Sequence, residues 1–133
     1  MKKLTNDNQG FTVIELLVVI LVFIALAVVA VTNIRGLRAE NRDTASKTDI
    51  NAIYYQLESF FEKNDYYPEK LSVETLKGLD PESLKDDLGK TVNEEGGQYR
   101  YEPNTCAEQK CKSFTLTAQL DKEAPYTKQS LNK

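Results

Sequence analysis

A chain of 133 residues has the size of one domain, and 41% hydrophobic residues would ordinarily be enough for its core. Its net charge is −3 with no His, and acidic and basic side chains are interspersed without a basic stripe, which speaks against nucleic acid as a partner. Without His no Ser/His/Asp or Cys/His set can form, and no Gly-rich phosphate loop follows a strand, so the sequence reads as a non-enzyme without a cofactor.

Residues 1–10 form a short polar leader with Lys2 and Lys3 and too few apolar side chains to pack. From residue 11 to 31 only Thr12 and Glu15 are polar, and 16–31 contains no polar side chain. The apolar stretch, 11–34, is of transmembrane length, because about 20 helical residues span a hydrocarbon core of about 30 Å. Lys2 and Lys3 favour a cytoplasmic N-terminus, opposed by Arg35, Arg38 and Arg42 on the other flank. Much of the chain's hydrophobicity therefore lies outside any core, and residues 35–133 must fold on a modest apolar set that a covalent staple would help.

No Gly or Pro interrupts 11–35, and after Gly36 the next breaker is Pro68. Ile50, Ile53, Tyr54, Leu57, Phe60 and Phe61 follow the spacing of an amphipathic helix. One continuous helix is expected, half membrane and half amphipathic, on the order of 75 Å long from residue 11 to 61. Asn64-Asp65 and the constraint of Pro68 on Tyr67 should end it. Asp80, Pro81 and Gly89 have the asymmetry of a helix cap, first residue and end. Strands are expected at 98–102 and at 113–120, with Phe114, Leu116, Ala118 and Leu120 on one face, and 122–133 reads as a polar tail without assigned structure. The expected fold class is α+β: a long N-terminal helix packed on a small C-terminal antiparallel sheet.

Cys106 and Cys111 fall beyond the apolar stretch, and if that stretch is exported they lie in an oxidising compartment, where a disulfide is the default. Two Cys and no His make a poor zinc site, and the spacing is not that of a redox C-x-x-C pair. Asp86-Asp87 and Glu94-Glu95 read as solvated turns or helix faces rather than calcium or acid/base sites. Tyr54, Tyr99 and Tyr101 fall at packed positions, whereas Tyr55, Tyr66 and Tyr126 are candidates for exposure.

The segment Gly10-Phe11-Thr12-Val13-Ile14-Glu15-Leu16-Leu17-Val18-Val19-Ile20 resembles the class III signal of type IV pilins and of type II secretion and competence pseudopilins. The match lies at Gly10, Phe11, Thr12 and Glu15 and in the length of the apolar run; beyond about residue 35 it is only architectural, as in the helix ending near Tyr67-Pro68. The resemblance implies a leader, 1–10, removed by a prepilin peptidase between Gly10 and Phe11, and methylation of the new Phe11 amine. It implies a membrane and filament-core helix at 11–34 with Glu15 acting in assembly, and a globular domain at 35–133. The implied partners are further copies in a homo-polymer, other pilins, the membrane, an assembly platform and an ATPase. The implied location is the cytoplasmic membrane for the precursor and an extracellular pilus afterwards, serving adhesion, twitching or DNA uptake. Pilins often carry a C-terminal disulfide loop, in agreement with Cys106 and Cys111. Many members have a Gly or Pro inside the helix where it unwinds; this chain has none between Phe11 and Arg35.

Plainer readings stand beside this one. Thr12-x-x-Glu15 fits a capping box, with the Glu side chain satisfying a free N–H at the helix start. Alternatively the carboxylate snorkels to the interface. Ala25-Leu26-Ala27 is an A-x-A site for an ordinary signal peptide, which leaves Gly10-Phe11 unexplained. A single-pass binding protein that keeps residues 1–10, or a pseudopilin rather than a pilus subunit, completes the alternatives.

Overall fold

In the computed structural model, which describes residues 10–132 without the side chains of 33–35, helix α1 runs over Val13–Asn64, a single stretch of 52 residues. Strands β1 (Tyr67–Pro68), β2 (Tyr99–Ala107), β3 (Lys110–Ala118) and β4 (Tyr126–Gln129) follow, with one 3-10 turn at Pro81–Leu84. The fold is α+β, a long N-terminal helix packed on a small antiparallel sheet, as its sequence leads one to expect. Residues 1–9 of the expected leader, with Lys2 and Lys3, and the Arg35 side chain lie outside the described residues. The chain divides into two compact units, Met1–Leu37 and Arg38–Lys133.

Both ends of α1 follow local chemistry. Thr12 caps the first turn, its hydroxyl accepting the Glu15 N–H at 3.3 Å. At the other end Asp65 turns left-handed (φ 62°) and donates its N–H to Phe61 O at 2.7 Å, while the Asn64 side chain donates to Phe60 O. Pro68 then prevents resumption of the helix.

Within Arg38–Lys133, β3 is the central strand. It pairs antiparallel with β2 along one side and with β1 and β4 on the other. Tyr99 and Tyr101 of β2 and Phe114, Leu116 and Ala118 of β3 point to one face and are buried there. The helix meets them with Ile50, Ile53 and Leu57, and Leu76, Leu79 and Leu84 close the core from the connection between β1 and β2. The buried stripe of α1 begins earlier than its apolar residues, because Asp43 and Ser46 continue the same three-four spacing and are also buried.

Buried polar groups tie the layers together. Asp43 accepts the backbone N–H groups of Asp121 (2.7 Å) and Lys122 (3.0 Å). Arg42 pairs with Asp121 and Asp87, and Lys47 with Glu123, so the β3–β4 connection is fastened to the helix by charge. Tyr99 donates its phenol to Asp49 (3.0 Å), Tyr101 to Pro68 O (2.6 Å) and Tyr67 to Glu58 (2.8 Å). No buried side-chain polar atom lacks a partner among the described residues.

Three expectations are corrected. The helix expected after Asp80 is only the turn Pro81–Leu84, although Asp80 does cap it, accepting the Glu82 N–H at 3.0 Å. Asp86 halts it: its carboxylate is buried rather than solvated and accepts the N–H groups of Leu88, Lys90 and Gln98. A side chain that gathers backbone donors in this way competes with continued helix. The polar tail, to which the sequence assigns no structure, is ordered as far as Asn132: β4 pairs with β3, Ser130 is buried, Leu131 N–H donates to Glu58, and Asn132 donates to the Tyr67 hydroxyl. Tyr126 is half-buried and donates to Asn51 at 3.0 Å, so it serves the fold instead of standing exposed.

The free edge of β2 is blunted. The Asn93 side chain occupies both backbone groups of Tyr101, Pro103 lacks an N–H, and Thr105 turns left-handed (φ 54°).

The two N–H donors hold the Asp43 carboxyl below the usual carboxylate range, the Asp121 N–H having the largest effect. A depressed folded-state pKa gives stability that is complete above the unfolded value, about 3.9, and is lost as pH falls through the folded value. The stability gap between the parent and Asp43→Ala, measured by denaturant unfolding in micelles, should therefore be constant from neutral pH to about 5 and shrink below about 4. A gap that widens on acidification would contradict the assignment.

Candidate functional site

The first candidate is the start of α1. Gly10 lies just before the helix, and a Cβ built on it meets nothing within 4 Å, so no packing among the described residues requires glycine there. Phe11 follows with 80% of its surface exposed. Glu15 sits in the first turn and is exposed. Only one half of a capping box forms: the Thr12 hydroxyl takes the Glu15 N–H, whereas the Glu15 carboxylate has no hydrogen-bond or ion-pair partner among the described residues. The carboxylate is thus not consumed by the local structure.

From Val13 to Val31 the helix has no cover among the described residues. Its Leu, Ile, Val and Phe side chains are exposed, Phe23 at 67%. The helix is long and apolar enough to cross a membrane. A surface of this kind occurs in water only when something else covers it.

The second candidate is the hairpin of β2 and β3. Cys106 and Cys111 are bonded directly across the ladder with Cα atoms 4.0 Å apart. They lie inside the strands, which extend toward each other beyond the expected bounds of 98–102 and 113–120. The turn has only two residues, Glu108 and Gln109, both left-handed (φ 50° and 65°). Turns of this kind suit the strand twist but favour Asn-Gly or Gly, and each left-handed non-Gly residue costs about 1 kcal/mol or more. The staple offsets that cost at the point where the sequence has no turn residue. Cys106 is exposed, whereas Cys111 is buried in the core.

Structure does not bring these candidates into one site: Gly10, Phe11 and Glu15 belong to the first compact unit, the cysteines to the second. No group of three or more His, Cys, Asp or Glu side chains suited to a metal is present among the described residues. Asp43 and Asp86 are the important residues that apolar patterning missed; Asp43's position on the core stripe was the available signal.

Over 60 residues the chain is 37% identical to the type IV major pilin protein PilA of Myxococcus xanthus (strain DK1622), covering 45% of this chain and 27% of that protein. It thus spans well under half the length of that relative. No protein-family model matches the chain, and no solved structure matches it.

The Cys106–Cys111 bond closes a loop of about six residues, for which chain entropy gives about 2 kcal/mol. The double variant Cys106→Ala/Cys111→Ala should lose about that amount in denaturant unfolding, with amide exchange faster at 105–110 than elsewhere in the sheet. Unchanged exchange there would show that the hairpin holds its turn unaided.

Proposed function

We propose that this chain is a structural subunit of a type IV pilus, made as a single-pass membrane precursor, cut between Gly10 and Phe11 and polymerised through the helix at 11–34. The observation that carries the reading is the exposed apolar run from Val13 to Val31, headed by a carboxylate, Glu15, that has no partner among the described residues. Similarity to a major pilin supports it. The role is structural, and its partners are further copies and other pilins, a prepilin peptidase, an assembly platform and an ATPase.

The mechanism follows from what the chain lacks. In the precursor Phe11 N is an amide and carries no charge. Cleavage makes it an ammonium, and methylation keeps the charge. Glu15 lies about 6 Å further along the helix axis. A carboxylate at bilayer depth costs up to about 3 kcal/mol, less near the interface, unless a cation relieves it. In the growing filament the Phe11 ammonium of one copy meets the Glu15 carboxylate of a neighbour, which sets axial register while the apolar surfaces cover each other.

Mass spectrometry of the protein from its native membrane should find Phe11 as the first residue, methylated; an intact Met1 marks an uncleaved anchor, and a start at Val28 marks an ordinary signal peptide. Glu15→Ala should insert and be cleaved, yet lower filament yield by about tenfold or more, the fold-change equivalent of 1.4 kcal/mol. Glu15→Gln separates charge from capping. It should fail nearly as badly, whereas normal assembly of Glu15→Gln in cells without the parent subunit would refute the ammonium–carboxylate pairing.

A further inference from the structure

Two carboxylates on α1 grip the C-terminal stretch of the chain near its two ends. Asp43 accepts the N–H groups of Asp121 and Lys122 at 2.7 and 3.0 Å, and Glu58 accepts the Leu131 N–H at 3.1 Å together with the Tyr67 hydroxyl at 2.8 Å. Between these grips the stretch follows the helix in the same direction on polar rungs. Lys47 pairs with Glu123, Asn51 accepts the Tyr126 hydroxyl at 3.0 Å, and the Lys128 ammonium lies 5.4 Å from the Tyr54 ring centroid.

The grips are unequal. Asp43 is buried and holds two backbone donors, with Arg42 and Lys47 adding favourable charge. Glu58 is half-buried and holds a single backbone donor. Apolar packing adds little at the Glu58 end: no residue of β4 is buried, Tyr126 alone of its four packs against the core, and Leu131 is 74% exposed. Ser130 is buried, but what it contributes is hydrogen bonds with Phe114. An element with so few buried apolar contacts opens at low free energy.

Strand β3 records which bonds such an opening breaks. Ser130 N–H donates to Phe114 O at 3.1 Å on one side of β3, and Gln119 N–H donates to Gln98 O at 3.0 Å on the other. Bonded pairs alternate along an antiparallel ladder, so Leu116 and Ala118 bond to Lys128 and Tyr126 of β4, whereas Thr115 and Thr117 bond to Glu102 and Arg100 of β2. Neighbouring amides of one strand thus report on different partners.

We infer that residues 126–132 are a flap, hinged at 121–125 on Asp43, that opens away from β3 and Glu58 while the rest of the second compact unit stays folded. Opening bares the β3 edge at Leu116 and Ala118. The flap lies within one copy, so it operates whether or not the chain polymerises.

The test is amide hydrogen exchange, followed by NMR on the full chain in dodecylphosphocholine micelles and corrected for intrinsic rates. The N–H groups of Leu116, Ala118, Tyr126 and Lys128 should share one opening and exchange about tenfold or more faster than those of Thr115, Thr117, Asp121 and Lys122. Glu58→Gln keeps an acceptor but removes its charge. It should speed the four flap amides about fivefold, the difference between a charged and a neutral acceptor, and leave the other four unchanged. Asn51→Ala, which removes the Tyr126 acceptor without touching Tyr67, should speed the same four, and Lys112→Gln, exposed on β3, should change none. A common rate along 115–118 would overturn the inference, because β4 would then open only with the whole sheet. So would acceleration of all eight amides alike in Glu58→Gln, or flap amides that neither Glu58→Gln nor Asn51→Ala speeds.

Discussion

An apolar surface left exposed among the described residues is the constraint on which everything else depends. From Val13 to Val31 the large apolar side chains of α1 are exposed among the described residues. Each such side chain gains about 1.5–3 kcal/mol when taken out of water, so the segment must always have another partner. Lipid satisfies that requirement without specificity. Another copy of the same segment satisfies it with register, provided that something sets the register. On the proposed reading Glu15 does so, since hydrocarbon tolerates an unpaired carboxylate poorly and a neighbouring ammonium relieves it.

The second compact unit answers the same constraint from the opposite direction. With so much of the chain's hydrophobicity committed elsewhere, its core is a small cluster of Ile, Leu, Tyr and Phe. Polar groups supply the remaining cohesion. Four tyrosine hydroxyls reach acceptors on other elements, Asp43 and Asp86 gather backbone donors, and a disulfide closes the hairpin. A buried carboxylate whose oxygens accept backbone N–H groups holds a loop in place without adding apolar volume. The price is sensitivity to protonation at Asp43 and to reduction at Cys106–Cys111.

The legible parts of the fold were those with periodicity or stop signals. The continuous helix, its end at Asn64 and the inward face of Phe114, Leu116 and Ala118 could all be read from spacing. Illegible were the features made by single side chains reaching backbone from a distance. Asp86 looks like a helix residue until its three N–H partners are known, and β4 has only Tyr126 to announce it among polar neighbours. Glu108-Gln109 gave no turn signal, because the cross-link holds those two residues in the turn. At the candidate site the sequence pointed to Gly10, Phe11 and Glu15 by resemblance; structure adds that no described residue explains glycine at 10 or occupies the carboxylate at 15.

The account stands on what covers Phe23 and its neighbours after the cleavage that the proposed reading requires. A photo-reactive phenylalanine analogue at position 23, activated in cells, reads that directly. In the assembled fraction it should cross-link to the apolar segment of other copies of this chain, and in cells unable to assemble it should label lipid. Labelling of lipid alone in every fraction, with no chain-to-chain adduct, would contradict the claim that this surface is built for its own copies.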